Sequence, residues 1–206
     1  MLCYLAYHEW LALQRKEQVS CLQWIAGGTA IAGLIYFVIE KTSFAEWLIQ
    51  TVTMQSAWLF NMAVGGGVDV INTSILHDGS FVVNIIFACT AVQAMVLFVG
   101  MILPLPKVPL KRKLLCLLVT VVPIYFLNLG RNALICVLVK DDSTMFFLAH
   151  NVIGKVGALL ALIGLLFLVF KLIPELFDEI MCIIDLPKRK GPVEQVFTTL
   201  LGKKKK

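Results

Sequence analysis

The chain has 206 residues, 59% of them hydrophobic and only 15% charged, with a mean hydropathy of +0.87. Soluble domains carry about a quarter charged residues, so this composition excludes an ordinary soluble enzyme and indicates a polytopic membrane protein. The net charge of +5 implies no nucleic-acid partner, because the basic residues cluster at Lys107–Lys113, Lys188–Lys190 and Lys203–Lys206, the juxtamembrane pattern of cytoplasmic loops.

Residues 1–21 mix aromatics with His8, Glu9, Arg15, Lys16 and Glu17, which suits a cytoplasmic interfacial helix. No cleavable secretory signal is evident; the first apolar run follows Arg15 and Lys16 as a retained anchor would. The first expected span, 22–39, is free of charge and rich in small residues that permit close helix contact. Residues 40–83 form an external segment. Its first half, 42–64, spaces Phe44, Trp47, Leu48, Val52, Trp58 and Phe60 at helical intervals with polar residues between, the pattern of a helix lying in the outer interface. Gly65, Gly66 and Gly67 break it, and 68–83 reads as an irregular or short β-like loop.

A second span is expected over 84–103, closed by Pro104 and Pro106, and a third over 114–139, interrupted by Pro123 and by the polar run Asn128–Asn132. The fourth runs over 145–173 and stops at Pro174. The remainder, 174–206, reads as a cytoplasmic amphipathic segment and a basic tail. The expected fold is therefore all-α: a membrane helix bundle of about four full spans with interfacial amphipathic helices, 22–173 forming its core. Both termini and the basic 107–113 linker fall inside when the first span runs outward. The six cysteines (3, 21, 89, 116, 136 and 182) show neither CxxC nor metal-type spacing. No disulfide framework, metal site or cofactor is expected from them.

This topology aligns three reactive groups. Cys89 lies near the outer start of the second span, Arg131 before the outer end of the third and His150 after the outer start of the fourth. At about 1.5 Å per residue, all three lie roughly 8–13 Å below the outer interface. A thiolate is the nucleophilic form of cysteine, and a histidine can take its proton and return it to a leaving group. Arginine stays charged at any working pH and offsets the desolvation that a membrane site imposes on a thiolate or oxyanion. Thr90, Gln93, Asn128 and Asn132 supply supporting polarity around them. Singly, each has a structural explanation: Cys89 as packing, His150 as an interfacial anchor, the asparagines as interhelical hydrogen-bond partners. Their shared depth favours a site.

The motifs carrying these residues are Ala88-Cys89-Thr90, with Gln93 and Met95 following; Asn128-Leu129-Gly130-Arg131-Asn132; and Phe146-Phe147-Leu148-Ala149-His150-Asn151. In order and spacing they resemble the exosortase/archaeosortase family over about 84–173, the first motif being closer to the archaeal form. Many members carry Gly two residues after the Cys, where this chain has Ala91. The resemblance implies a multi-pass enzyme of the plasma membrane with an outward-facing site. It implies exported protein substrates that bear a C-terminal motif, a hydrophobic span and a basic cluster. Cys89 would be nucleophile, His150 general base and acid, and Arg131 thiolate and oxyanion stabiliser. The cleaved substrate would pass to an amine acceptor such as a lipid head group. Two alternatives stay open: a protease that only hydrolyses, and a non-catalytic scaffold or transporter subunit with Arg131 and His150 along a polar path.

Overall fold

The structure is a computed structural model that describes residues 21–185 together with residues 3, 4, 6, 7 and 10. Most of the interfacial helix expected over 1–21, including 11–20, and the basic tail beyond 185 lie outside the described residues. Three helices are long and apolar enough to cross a bilayer: Gln23–Lys41, Leu110–Val139 and Leu148–Leu172. Side chains such as Leu34, Phe37, Phe126, Leu160 and Phe167 stand exposed along them, as lipid-facing surfaces require.

Helix α1 (Cys21–Lys41) meets α3 (Val92–Ile102) at a backbone-to-backbone crossing. A Cβ added at Gly28 would lie 2.5 Å from the Gly100 carbonyl oxygen, and one added at Gly100 would lie 2.7 Å from that of Gly28. Only glycine on both sides permits this approach. Beside it the Trp24 indole donates to the Met101 carbonyl at 2.8 Å.

Helix α2 (Phe44–Val64) buries Val52, Thr53, Ser56, Ala57 and Phe60 and exposes Trp47 and Trp58. Tyr125 of α4 (Leu110–Val139) donates a hydrogen bond to Gln55 on α2. Gly65 ends α2 at φ +83°, its N–H bonded to Asn61, the usual left-handed glycine stop. A three-stranded antiparallel meander follows: β1 (Val68–Ile71), β2 (Ser74–His77) and β3 (Ser80–Asn84). Its tight turns place Asn72, Asp78 and Gly79 at positive φ, which suits these residue types. The β-like reading of 68–83 thus resolves into a small sheet, with a register shift between Ile75 and Leu76, on an otherwise helical bundle.

The segment expected to be one helix from residue 84 is not. Residues 84–86 continue from the strand, Phe87–Thr90 form a single 3-10 turn, and Ala91 reverses the backbone at φ +58° before α3 begins. At about 1.5 Å per residue the 11-residue α3 covers about 16 Å, roughly half a bilayer core. Helix α4, by contrast, runs unbroken for 30 residues through both Pro123 and the Asn128–Asn132 run. It starts at Leu110, so Lys111, Arg112 and Lys113 belong to its first turn rather than to a linker. Those cations hold neighbouring ends together. Arg112 pairs with Glu175 at 2.9 Å and donates Nε to the Leu172 carbonyl, and Lys113 donates to the Leu103 carbonyl at 2.7 Å.

The expected fourth helix also differs in its first third. Ser143–Met145 form a 3-10 turn and Leu148–Gly154 a π-helical segment, and α5 proper spans Lys155–Leu172. Helix α6 (Pro174–Asp185) folds back beside α1 and buries Leu176. There Cys182 forms a disulfide with Cys21, 161 residues away in sequence. This corrects the expectation of unpaired cysteines: the pairing follows from the two helix ends meeting in space, which no local spacing records. Buried apolar residues form two layers. One gathers Phe60, Ile75, Val83, Leu129, Cys136 and Ala149 around Cys89. The other gathers Trp24, Phe98, Ile102, Ile124, Val169 and Leu176 at the opposite end.

Candidate active site

Non-helical backbone at membrane depth survives only where protein satisfies its polar groups. The turn Phe87–Thr90 meets that requirement with side chains. The Cys89 carbonyl accepts from Asn128 Nδ2 at 2.7 Å and from Asn132 Nδ2 at 3.0 Å. Both asparagines are buried, at 7% and 3% exposure, and four residues apart they share one face of α4. Thr90, fully buried, donates its hydroxyl to the Phe87 carbonyl at 2.7 Å and accepts a long bond from the Val92 N–H. The turn thereby closes on itself just before α3.

Arg131 sits between the asparagines in sequence and turns the other way, half-buried, donating Nε to the Gly154 carbonyl at 3.1 Å. Gly154 is buried at the end of the π-helical segment that carries His150. A Cβ there would fall 2.9 Å from Arg131 Nε, so the approach depends on glycine. Extra residues in a helical turn redirect side chains and often mark functional positions. The π-helical segment therefore bears directly on where His150 points.

The structure brings together the Cys89 turn, the Asn128–Asn132 run and the segment carrying His150, with Cys89, Leu129, Ala133 and Ala149 in one buried cluster. It does not bring the Cys89 thiol into hydrogen bonding with His150. Cys89 is 9% exposed. The His150 ring lies flat against Phe146, with centroids 5.3 Å apart and planes 7° from parallel. Catalytic hydrogen bonds of substrate-free enzymes are often unmade until substrate arrives.

Gln93, exposed at the start of α3, donates to the Tyr36 hydroxyl at 3.3 Å. A cavity of about 810 Å³ opens beside these groups, lined among others by Ala88, Gln93, Asn128, Arg131, Ala149 and Gly154. Three contributors were not anticipated from sequence: Gly154 as the Arg131 acceptor, Tyr36 as the Gln93 partner, and the left-handed Ala91. Gly154, four residues after His150 in an apolar run, carries a usable signal, since a small residue beside a motif permits close approach. Among the described residues, no group of three or more His, Cys, Asp or Glu side chains is placed to hold a metal ion.

The sequence profile of the transmembrane exosortases matches residues 10–169, more than half the chain. The chain belongs to this family. It is 24% identical over 216 residues to Archaeosortase A of Natronomonas pharaonis, covering 87% of this chain and 67% of that protein. It is 28% identical over 160 residues to Archaeosortase A of Haloferax volcanii, covering 65% and 52% respectively. The chain thus spans about two thirds of one relative's length and about half of the other's. No solved structure matches it. As a transmembrane exosortase the chain is a multi-pass helical membrane protein, in agreement with its exposed apolar helices. The profile ends within α5, so it takes in the Cys89 turn, the Asn128–Asn132 run and the π-helical segment together.

Proposed function

We propose that this exosortase-family chain is a membrane-embedded cysteine transpeptidase that processes C-terminal sorting signals of exported proteins. On this reading Cys89 is the nucleophile, His150 the general base and then acid, and Arg131 the stabiliser of negative charge. The substrate carries a short motif, a hydrophobic span and a basic end. The site faces outward from the plasma membrane and both termini lie in the cytoplasm, as the distribution of basic residues indicates.

The observation that carries this reading is the double anchoring by α4. Asn128 and Asn132 hold the main chain of Cys89 while Arg131, between them, is bonded to the His150 segment at Gly154. A single rigid helix thereby fixes the nucleophile's turn and the base's segment relative to one another, as preorganised catalysis requires.

The chemistry runs in two steps. His150 takes the Cys89 proton, and the thiolate adds to the scissile carbonyl carbon, forming a C–S bond and an oxyanion that the Arg131 guanidinium balances. Collapse breaks the C–N bond. His150 returns its proton to the departing amine, and the tail leaves, its span and basic end still attached. An amine acceptor, such as a lipid head group, then attacks the thioester. The C–S bond breaks, an amide forms, and the acceptor's proton returns to the thiolate through His150.

The test is co-expression with a tripartite-tail substrate. Cys89→Ala abolishes tail release, and the intact-mass product of the wild-type reaction carries an amine adduct. Full processing by Cys89→Ala removes the nucleophile assignment. A product ending in a free carboxylate replaces transfer by hydrolysis.

A further inference from the structure

We propose that Ser56 is a further residue of the cysteine site, its hydroxyl the hydrogen-bond donor to the Cys89 thiolate. The assignment rests on the reading of Cys89 as nucleophile and adds to it a group on α2.

Hydroxyls inside helices commonly donate to the carbonyl one turn back. In this chain Thr29 does so to Ile25, Thr51 to Trp47, Thr53 to Ile49 and Thr120 to Cys116, at 2.7–2.9 Å. Ser56 does not. It is fully buried on α2, and its Oγ has no hydrogen-bond partner among the described residues. The local bond that Thr51 and Thr53 make on the same helix is forgone. A buried hydroxyl left unpaired costs free energy, and such exceptions in folded proteins call for a reason, a catalytic role among them.

The place of Ser56 in the fold points to the atom it serves. Gln55, its neighbour in sequence, accepts from Tyr125 on α4. Asn128, three residues further along α4, donates to the Cys89 carbonyl at 2.7 Å. One turn of α4 therefore meets both the Ser56 level of α2 and the Cys89 turn. Helix α2 itself packs against the turn Phe87–Thr90. Val52, Ser56 and Phe60 form one stripe of α2 at four-residue spacing, all fully buried. Val52 and Phe60, on either side of Ser56, belong to the same buried cluster as Cys89. The asparagines engage the Cys89 main chain from the α4 side, and Ser56 leaves an unused donor on the α2 side.

A neutral thiol needs no such donor; a thiolate does. When His150 takes the Cys89 proton, the sulfur carries a full charge among buried apolar side chains. Rotation about the Ser56 Cα–Cβ bond moves Oγ between staggered positions without moving α2, and the O–H then donates to the anionic sulfur. No covalent bond forms or breaks in this step, and the proton stays on Ser56. A hydrogen bond to an ionised partner is stronger than a neutral one and favours the charged form. It aids both moments at which the sulfur is anionic: before it attacks the scissile carbonyl, and when the acceptor displaces it from the thioester.

The experiment reads the thiolate directly: the full chain in detergent is alkylated with iodoacetamide at neutral pH, and peptide mass mapping gives the rate at Cys89. Ser56→Ala should label there about tenfold more slowly, the order of one hydrogen bond to a charged group. Its kcat for a tripartite-tail substrate should fall by a similar factor with KM unchanged. Its melting temperature should hold or rise, because alanine removes the unpaired hydroxyl and favours the helix. Thr53→Val, which removes a buried hydroxyl bonded within α2, is the control and should label and process at wild-type rates. Wild-type labelling in Ser56→Ala overturns the assignment and leaves the serine as a small residue at a packing contact. So does equal slowing in Thr53→Val, which traces the effect to the packing of α2, and so does slower processing with unchanged labelling. Labelling does not depend on turnover, so the two readings fail separately. A Cys89→Ala chain that still processes removes the nucleophile, whereas the Ser56 donor stands or falls on the alkylation rate.

Discussion

Asn132 donates to the main-chain carbonyl of Cys89 at 3.0 Å, and Asn128 donates to the same oxygen at 2.7 Å. The bonds come from residues 39 and 43 positions away and satisfy a carbonyl that the local 3-10 turn leaves without a helical partner. Removing either donor leaves the other in place, whereas removing both strands a buried acceptor, at a cost of about 1–3 kcal/mol. Asn128→Ala and Asn132→Ala should each keep the fold and reduce tail processing about tenfold, or about 1.4 kcal/mol in the barrier. The double variant should lose more stability than the two singles added together. Thermal unfolding in detergent and a processing time course check both; strict additivity would show that the asparagines do not share the Cys89 carbonyl.

Gly154 makes a second prediction. An alanine Cβ there would stand 2.9 Å from Arg131 Nε and 3.3 Å from Nη2, so the guanidinium must swing away from the Gly154 carbonyl. Replacing glycine by alanine within a helical segment otherwise gains up to about 1 kcal/mol. Gly154→Ala should therefore lower processing at least tenfold (about 1.4 kcal/mol) with the melting temperature unchanged or slightly raised. A variant that melts normally and processes at the wild-type rate would show that the Arg131 position does not matter to the reaction.

The contrast between these two sites explains what the sequence could reveal. Apolar runs without charge identify Gln23–Lys41, Leu110–Val139 and Leu148–Leu172 as membrane helices, because lipid imposes one requirement on every residue of a span. The positions of Cys89, Arg131 and His150 were legible for the same reason, as polar groups out of place in such runs. The backbone around them was not. Residues 84–103 are apolar enough for a helix throughout, and the helix nevertheless starts only at Val92. The cause lies in distant side chains: Asn128 and Asn132 make the non-helical turn affordable. Likewise Pro123 and Asn128 suggest a break in α4 where packing preserves the helix. The Cys21–Cys182 pairing depends on α6 returning to α1, which local sequence does not encode.

Ala91 yields a prediction that ties the family motif to conformation. It adopts φ +58° between the Cys89 turn and α3, a left-handed geometry that costs a residue with a Cβ about 1–2 kcal/mol relative to glycine. Glycine at this position would suit the geometry, and the alanine here is strained. Ala91→Gly should raise the melting temperature by a few degrees, corresponding to about 1 kcal/mol, with processing retained. Ala91→Val, β-branched at the same φ, should lower both. Equal melting temperatures for all three chains would show that the left-handed turn does not persist in the membrane.

The crossing of α1 and α3 sets the depth of the Cys89 turn, because α3 hangs directly from it. Gly28 and Gly100 place each other's carbonyl oxygens where a Cβ would clash, at 2.5 and 2.7 Å, and an added Cβ at Gly100 would also press on Ala32 at 2.8 Å. The contacted atoms include backbone, so rotamer changes alone do not relieve the overlap. Forcing atoms into a packed contact costs about 1–3 kcal/mol, and here the separation must be taken up by moving one helix. Gly100→Val should therefore destabilise the protein and shift α3 away from α1, breaking the Trp24–Met101 bond at 2.8 Å that lies beside the crossing. Gly33, whose added Cβ meets nothing within 4 Å, is the control on the partner helix α1: Gly33→Val should melt close to the wild-type temperature. With Trp10, Trp47 and Trp58 replaced by phenylalanine in every chain, tryptophan fluorescence reports the Trp24 environment while thermal unfolding reports stability. Gly100→Val should change both and Gly33→Val neither; the same response from the two variants would place the close contact elsewhere.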